Sequence, residues 1–341
     1  MVHMIFFIII SFSILCINKK HSFWIYSFVG LFLFCALRYN YGPDYMNYFE
    51  IFYLIKEGLP AWGQSDWLFK QLVLLMPNFY ILVAILSLFY VISIYILISA
   101  NLQVKDYWFA LLMLLINPYL FLVHQSSIRQ TISICIIILA IKYAINRNIL
   151  KYVLLIILAS GFHASAIIML PVYLVLTDKK LKIRDILIAV GVIFALLFTP
   201  MFNMIINRAL EYMPSHYYIY YDMGLQNSLR STLISSVFFF FVLFNINKLD
   251  GHEIVYGKLS LISTIISLLA IKASMITRIG MYFDIFLIIT IPHIFNNIEK
   301  KLHRILVFIL LMTIYLLRYY SFYSLPICSK AFGTYRTILG L

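Results

Sequence analysis

Apolar residues fill this chain in long uninterrupted runs, with the polar positions gathered between them. Phe23–Leu37, Phe79–Ser99, Tyr107–Val123, Ile128–Ala144 and Ile279–Phe295 each read as predominantly apolar spans. At about 1.5 Å of rise per residue, some 20 such residues cross the roughly 30 Å core of a bilayer as a helix. The runs do not alternate, which excludes a membrane β-barrel. The pattern predicts an all-α, polytopic transmembrane helical bundle of about 11–13 spans, a single integral-membrane domain over residues 1–341. Composition agrees: 64% of the 341 residues are hydrophobic and 11% charged, against roughly 25% charged in soluble domains.

The net charge is +13. In a soluble protein that balance would raise nucleic acid as a partner. Here the basic residues sit in short segments between spans, where they set orientation, and no nucleic-acid partner is expected. Lys19/Lys20, Arg147/Lys151, Lys179/Lys180/Lys182/Arg184 and Lys300/Lys301/Arg304 are expected on the cytoplasmic side. Both Lys151 and Lys179 can be inside only if the apolar stretch between them doubles back. That predicts a bent hairpin of two short helices turning near Gly161–Phe162–His163, a geometry tolerated where protein or a water-filled cavity surrounds it. The N-terminal run precedes its lysines and lacks a small-residue cleavage site, so it reads as a retained first span. Outer loops are then expected at 38–66 and 201–231, both rich in tyrosine. The four cysteines show no metal-ligand spacing and read as buried small hydrophobes.

Four polar constellations stand out. In LRYNYGPDYMNYF, Arg38 and Asp44 flank a Gly42–Pro43 turn among Tyr39, Tyr41, Tyr45 and Tyr48. The tyrosines suit an interfacial belt, and Arg38 suits snorkelling. Charges at membrane depth also mark sites. In HQSSIRQ, Arg129 and Gln130 open a helix. A cation there opposes the helix dipole, a penalty that a bound anion offsets. His163 lies in ASGFHASA, where interhelical hydrogen bonding and catalysis are both open. Arg278 opens another outer helix, with Asp284 following in the span.

Through RYNYGPDYMNYF, SIRQTISICIIILA, KYVLLIILASGFHASAIIMLPVY and TRIGMYF, the chain resembles the EpsG-like family of bacterial polysaccharide polymerases. That family falls within the Wzy-type polymerases of O-antigen, capsule and exopolysaccharide biosynthesis. The four elements occur in order over residues 38–283. Pro43 and the His124–Gln125–Ser126 turn depart from the family pattern.

The resemblance implies a glycosyltransferase family C type of membrane fold in the bacterial cytoplasmic membrane. It implies a polymerase joining undecaprenyl-pyrophosphate-linked sugar repeats on the periplasmic or extracellular side, with membrane lipid and a chain-length regulator as further candidate partners. Arg38, Arg129 and Arg278 would hold the lipid pyrophosphate, with Gln130 beside Arg129. Tyr45 and Tyr48 would contact sugar. Asp44 and His163 are both candidates for the base that activates the acceptor hydroxyl. The chain has no Asp-x-Asp element, so metal-independent chemistry without a cofactor is expected. A flippase for lipid-linked glycan, a glycan ligase and a membrane acyltransferase are the competing readings.

Overall fold

The computed structural model describes residues 2–15, 24–61, 66–211, 229–273 and 276–340. Lys19 and Lys20, and much of the loop expected at 201–231, lie outside the described residues. Almost every described element is a helix. In order they are α1 (Val2–Leu15), α2 (Trp24–Ala36), α3 (Tyr45–Lys56), α4 (Trp67–Leu75), α5 (Phe79–Asn101), α6 (Tyr107–Ile116), α7 (Pro118–Ser126), α8 (Ile128–Ile145), α9 (Ile149–Phe162) and α10 (Met169–Val172). There follow α11 (Ile183–Phe198), α12 (Met201–Leu210), α13 (Leu229–Asn245), α14 (His252–Leu269), α15 (Thr277–Asp284), α16 (Leu287–Asn296), α17 (Lys301–Ser324) and α18 (Pro326–Phe332). Two two-residue strands, β1 (Arg38–Tyr39) and β2 (Arg336–Thr337), pair antiparallel.

The chain is therefore a multi-pass helical membrane protein. Among the described residues, four helices are long and apolar enough to cross a bilayer, or seven if each bent pair counts as one span. Shorter apolar helices, such as α2 and α9, add to these. Hydropathy alone treats each apolar run as one straight span, whereas several runs are broken. The run 107–123 bends by 65° between α6 and α7, where Pro118 has no N–H to continue the first helix. The pair α15 and α16 bends by 52°.

Cα packing divides the chain into two compact units, Met1–Val175 with Lys300–Leu341, and Leu176–Glu299. In the first, α2 packs on α5, α5 on α8, and α8 on α9. Helix α8 is buried along most of its length, from Ile128 to Ala144, which places it inside the helix packing of this unit. Asn78 caps α5 by accepting from Ile81 N–H at 2.9 Å, and Asn148 caps α9 by accepting from Lys151 N–H at 3.1 Å.

The chain reverses after α9, where the basic-residue pattern placed a turn. His163 is extended (φ −155°, ψ 110°) and ends the helix. The returning arm is a 3-10 turn, Ala164–Ile168, leading into the short α10. Tyr152 OH donates to Met169 O at 2.5 Å, and Tyr173 packs on Tyr152 with ring centroids 5.3 Å apart. Residues near the start of α9 thus meet residues well past its end.

In the second unit, α14 packs against α13, α15 and α16. Its polar residues are paired internally. Lys258 Nζ donates to Thr177 O at 2.8 Å and Thr177 Oγ1 at 2.7 Å, and Ser260 Oγ donates to Thr290 Oγ1 at 2.8 Å.

Candidate functional site

The first polar cluster forms where the start of α3 meets the corner between α7 and α8. Gly42 makes the approach possible. It has φ +108°, which disfavours a side chain, and a Cβ there would sit 3.2 Å from Ser126 Oγ. Asp44 and Ser126 then bond twice. Asp44 N–H donates to Ser126 Oγ at 3.2 Å, and Ser126 Oγ donates to Asp44 Oδ2 at 3.1 Å. One helical turn along α3, Tyr48 lies under Arg129, with the guanidinium carbon 5.7 Å from the ring centroid. Arg129 Nε reaches the Tyr48 hydroxyl at 3.5 Å.

At the centre of the cluster is Asp66, which precedes α4 and is 5% exposed in its side chain. Its Oδ2 accepts from Arg129 Nη1 at 2.7 Å. The same oxygen lies 3.6 Å from His163 Nδ1. Its Oδ1 accepts from Ala164 N–H at 3.3 Å, across the turn that follows α9. A carboxylate this buried needs partners to offset its lost hydration, and Arg129 with the Ala164 amide supplies them. Helix α4 is brought there by Gly161, whose missing Cβ leaves room for Leu68 and Trp67.

The sequence reading did not single out Asp66. In sequence it is one more loop acid, and its partner Arg129 is 63 residues away. The only local signal is an acid immediately before an apolar helix.

Arg38 is placed differently from an exposed anion-binding residue. It is 3% exposed. Its Nη1 donates to Cys35 O and to Ser87 Oγ, the latter at 3.0 Å, and its Nη2 donates to Gln125 O at 3.2 Å. The guanidinium thus ties the end of α2 to α5 and α7. Tyr45 is buried against it, its hydroxyl donating to Arg38 O at 3.1 Å. Burial pushes the Tyr45 phenol up to about 12 against the opposing pull of Arg38, so the hydroxyl stays a donor. Gln130 is buried within α8.

The structure therefore brings Asp44, Tyr48, Arg129 and His163 into one cluster through Ser126 and Asp66, and sets Arg38 and Tyr45 beneath it. Arg278 belongs to the second unit, exposed at the start of α15. In that unit Asp284 accepts from Ser263 Oγ at 2.5 Å.

These features define a multi-pass membrane protein with a partly buried acid–base and arginine cluster held by helix ends. The chain belongs to the EpsG family, whose family model matches residues 21–337. Membership points to an exopolysaccharide-type polymerase, a glycosyltransferase-like membrane protein of polysaccharide biosynthesis. No curated protein and no solved structure matches the chain.

Proposed function

We propose that this protein polymerises undecaprenyl-pyrophosphate-linked oligosaccharide repeats on the outer side of the bacterial cytoplasmic membrane. The observation that carries the reading is the buried Asp66 carboxylate set between Arg129 and His163. In the step proposed, an acceptor hydroxyl oxygen bonds to the anomeric carbon of the donor sugar. The bond from that carbon to the pyrophosphate breaks, and its electron pair leaves with the lipid pyrophosphate. The hydroxyl proton passes to His163.

Each residue has a physical role. A base gains from a nearby opposite charge, and the Asp66 carboxylate, 3.6 Å from His163 Nδ1, is close enough to stabilise the ring electrostatically once protonated. Arg129 keeps 20% of its side chain exposed while paired, and its planar donors suit the growing charge on the leaving group. Asp44, fixed by Ser126, is left to hydrogen-bond acceptor hydroxyls. Arg38 acts as a positioning residue, since its guanidinium fixes Gln125, the neighbour of Ser126.

The test is the surface-glycan gel profile of cells lacking the protein and complemented with wild type or Arg129→Ala. We expect a ladder with wild type and single-repeat product with the variant, at equal protein level. A normal ladder from Arg129→Ala overturns the site. Loss of all surface repeat, with lipid-linked repeat accumulating, indicates a flippase or ligase instead.

A further inference from the structure

Beside the Arg38 segment lies a cleft that the proposed chemistry does not use. Its volume is about 510 Å³, and its lining includes Tyr39, Tyr80, Tyr335, Arg336, Thr337 and Ile338. That volume falls within the roughly 300–1,000 Å³ of small-ligand sites. All of these residues belong to the first unit.

The cleft is built from the two distant ends of that unit. Strand β1 pairs with β2, matching Arg38 with Thr337 and Tyr39 with Arg336. Ile338 N–H donates to Leu37 O at 2.9 Å, extending the ribbon. Tyr335 anchors it: its ring stacks on Phe34 with centroids 4.6 Å apart, and its hydroxyl donates to Phe34 O at 2.7 Å. Gly340, at φ +79°, turns the chain back with its N–H donating to Thr337 O at 3.1 Å. The walls are therefore preorganised before any ligand arrives.

The chemistry of the lining is distinctive. Tyr39 and Tyr80, both half-buried, offer π faces and phenol hydroxyls, the pairing that suits pyranose rings, with C–H edges on one side and hydroxyls at the rim, while Tyr335 holds the wall in place. Among the described residues, Arg336 is the single charged lining side chain, and it is exposed. A cleft whose described lining carries one cation and no carboxylate favours a ligand carrying negative charge. The cleft also adjoins the cluster: the Tyr39 ring lies 6.1 Å from Tyr45, which directly follows Asp44.

We propose that this cleft grips the glycan chain itself, taking pyranose rings on its tyrosines and an acidic sugar on Arg336. The proposal rests on the polymerase reading above and assigns the substrate class: an oligosaccharide repeat bearing a carboxylate or comparable anionic group. A polymerase that loses this grip releases its product early, so chains shorten while linkage formation survives.

The experiment compares Tyr80→Ala and Arg336→Gln with Arg129→Ala in the same cells by glycan gel. A second arm uses saturation-transfer NMR on the full-length protein in nanodiscs. Its probe is the host's repeat glycan released from lipid by mild acid, with chitohexaose as a neutral control. We expect both cleft variants to give shorter ladders, and Arg129→Ala to give none. Loss of one stacking face is expected to weaken glycan binding by about two- to tenfold. Transfer to the released glycan should exceed transfer to chitohexaose, and Arg336→Gln should remove the difference.

Unchanged ladders in the cleft variants, with Arg129→Ala still collapsed, overturn the cleft and leave the polymerase standing. If Arg129→Ala also keeps its ladder, the polymerase site falls and the NMR arm decides. Transfer lost in Arg336→Gln then supports the cleft, and no transfer to wild type overturns it. Equal transfer to both glycans overturns the acidic preference.

Discussion

Asp66→Asn is the sharpest perturbation of the cluster. Asparagine keeps the shape and an oxygen for the Ala164 N–H, and removes the charge. Asp66 has 5% of its side chain exposed and Arg129 has 20%, with 2.7 Å between their nearest atoms. Removing one partner of a fully buried pair costs roughly 3–5 kcal/mol. Water reaching Arg129 recovers part of that, so about 2–3 kcal/mol is expected here. A double-mutant cycle over Asp66→Asn and Arg129→Gln isolates the pair, with a coupling of about 1–3 kcal/mol expected. The readout is the unfolding midpoint in nanodiscs, with the glycan ladder measured in parallel. Loss of the charge beside the proposed base is expected to reduce polymerisation by about 10²-fold or more. Two single variants that add to within about 0.5 kcal/mol would show the pair to be uncoupled. A normal ladder from Asp66→Asn would remove Asp66 from the mechanism.

Three further outcomes follow from the packing around the cluster. Gly161→Ala places a Cβ 2.5 Å from Leu68 Cδ1, and the overpacking should cost about 1–3 kcal/mol; both the unfolding midpoint and the ladder should fall, because α4 carries Asp66 into place. Gly42→Ala meets both a φ of +108° and Ser126; a loss of about 1–3 kcal/mol should appear in the same assays, and unaltered stability would refute the strain. Arg129→Lys can keep a contact to Asp66 but not the Nε approach to Tyr48; most activity should be lost, and a wild-type ladder would mean that positive charge alone suffices.

Part of the cluster was legible because its signals are local. Asp44 stood out as an acid after a Gly–Pro turn, Arg129 as a cation at the wrong end of a helix, and His163 as a polar residue at a forced reversal. The reversal was legible from charge: the basic-residue rule expects Lys151 and Lys179 on one side, with too few residues between them for two full spans. Asp66 gave no comparable signal. A loop acid looks solvated until something covers it, and what covers it comes from α8 and the turn after α9. Arg38 shows the opposite case. Its placement after an apolar span suits an exposed anion site, yet the end of α2, α5 and α7 close around it and turn its donors to Cys35, Ser87 and Gln125.

By itself the sequence determined the class: a membrane protein of many helices, with its polar chemistry at helix ends, resembling one family of polymerases. Hydrocarbon runs and charge placement suffice for that, because a bilayer constrains every residue according to depth. Only the tertiary structure decided which charges meet. The Arg129–Asp66 pair and the ribbon joining Arg38 to Thr337 each link residues far apart in the chain. No local pattern encodes such meetings. The first exists because packed helices leave a buried charge no water and require a partner from another part of the fold, the second because backbone donors and acceptors outside the helices need one another.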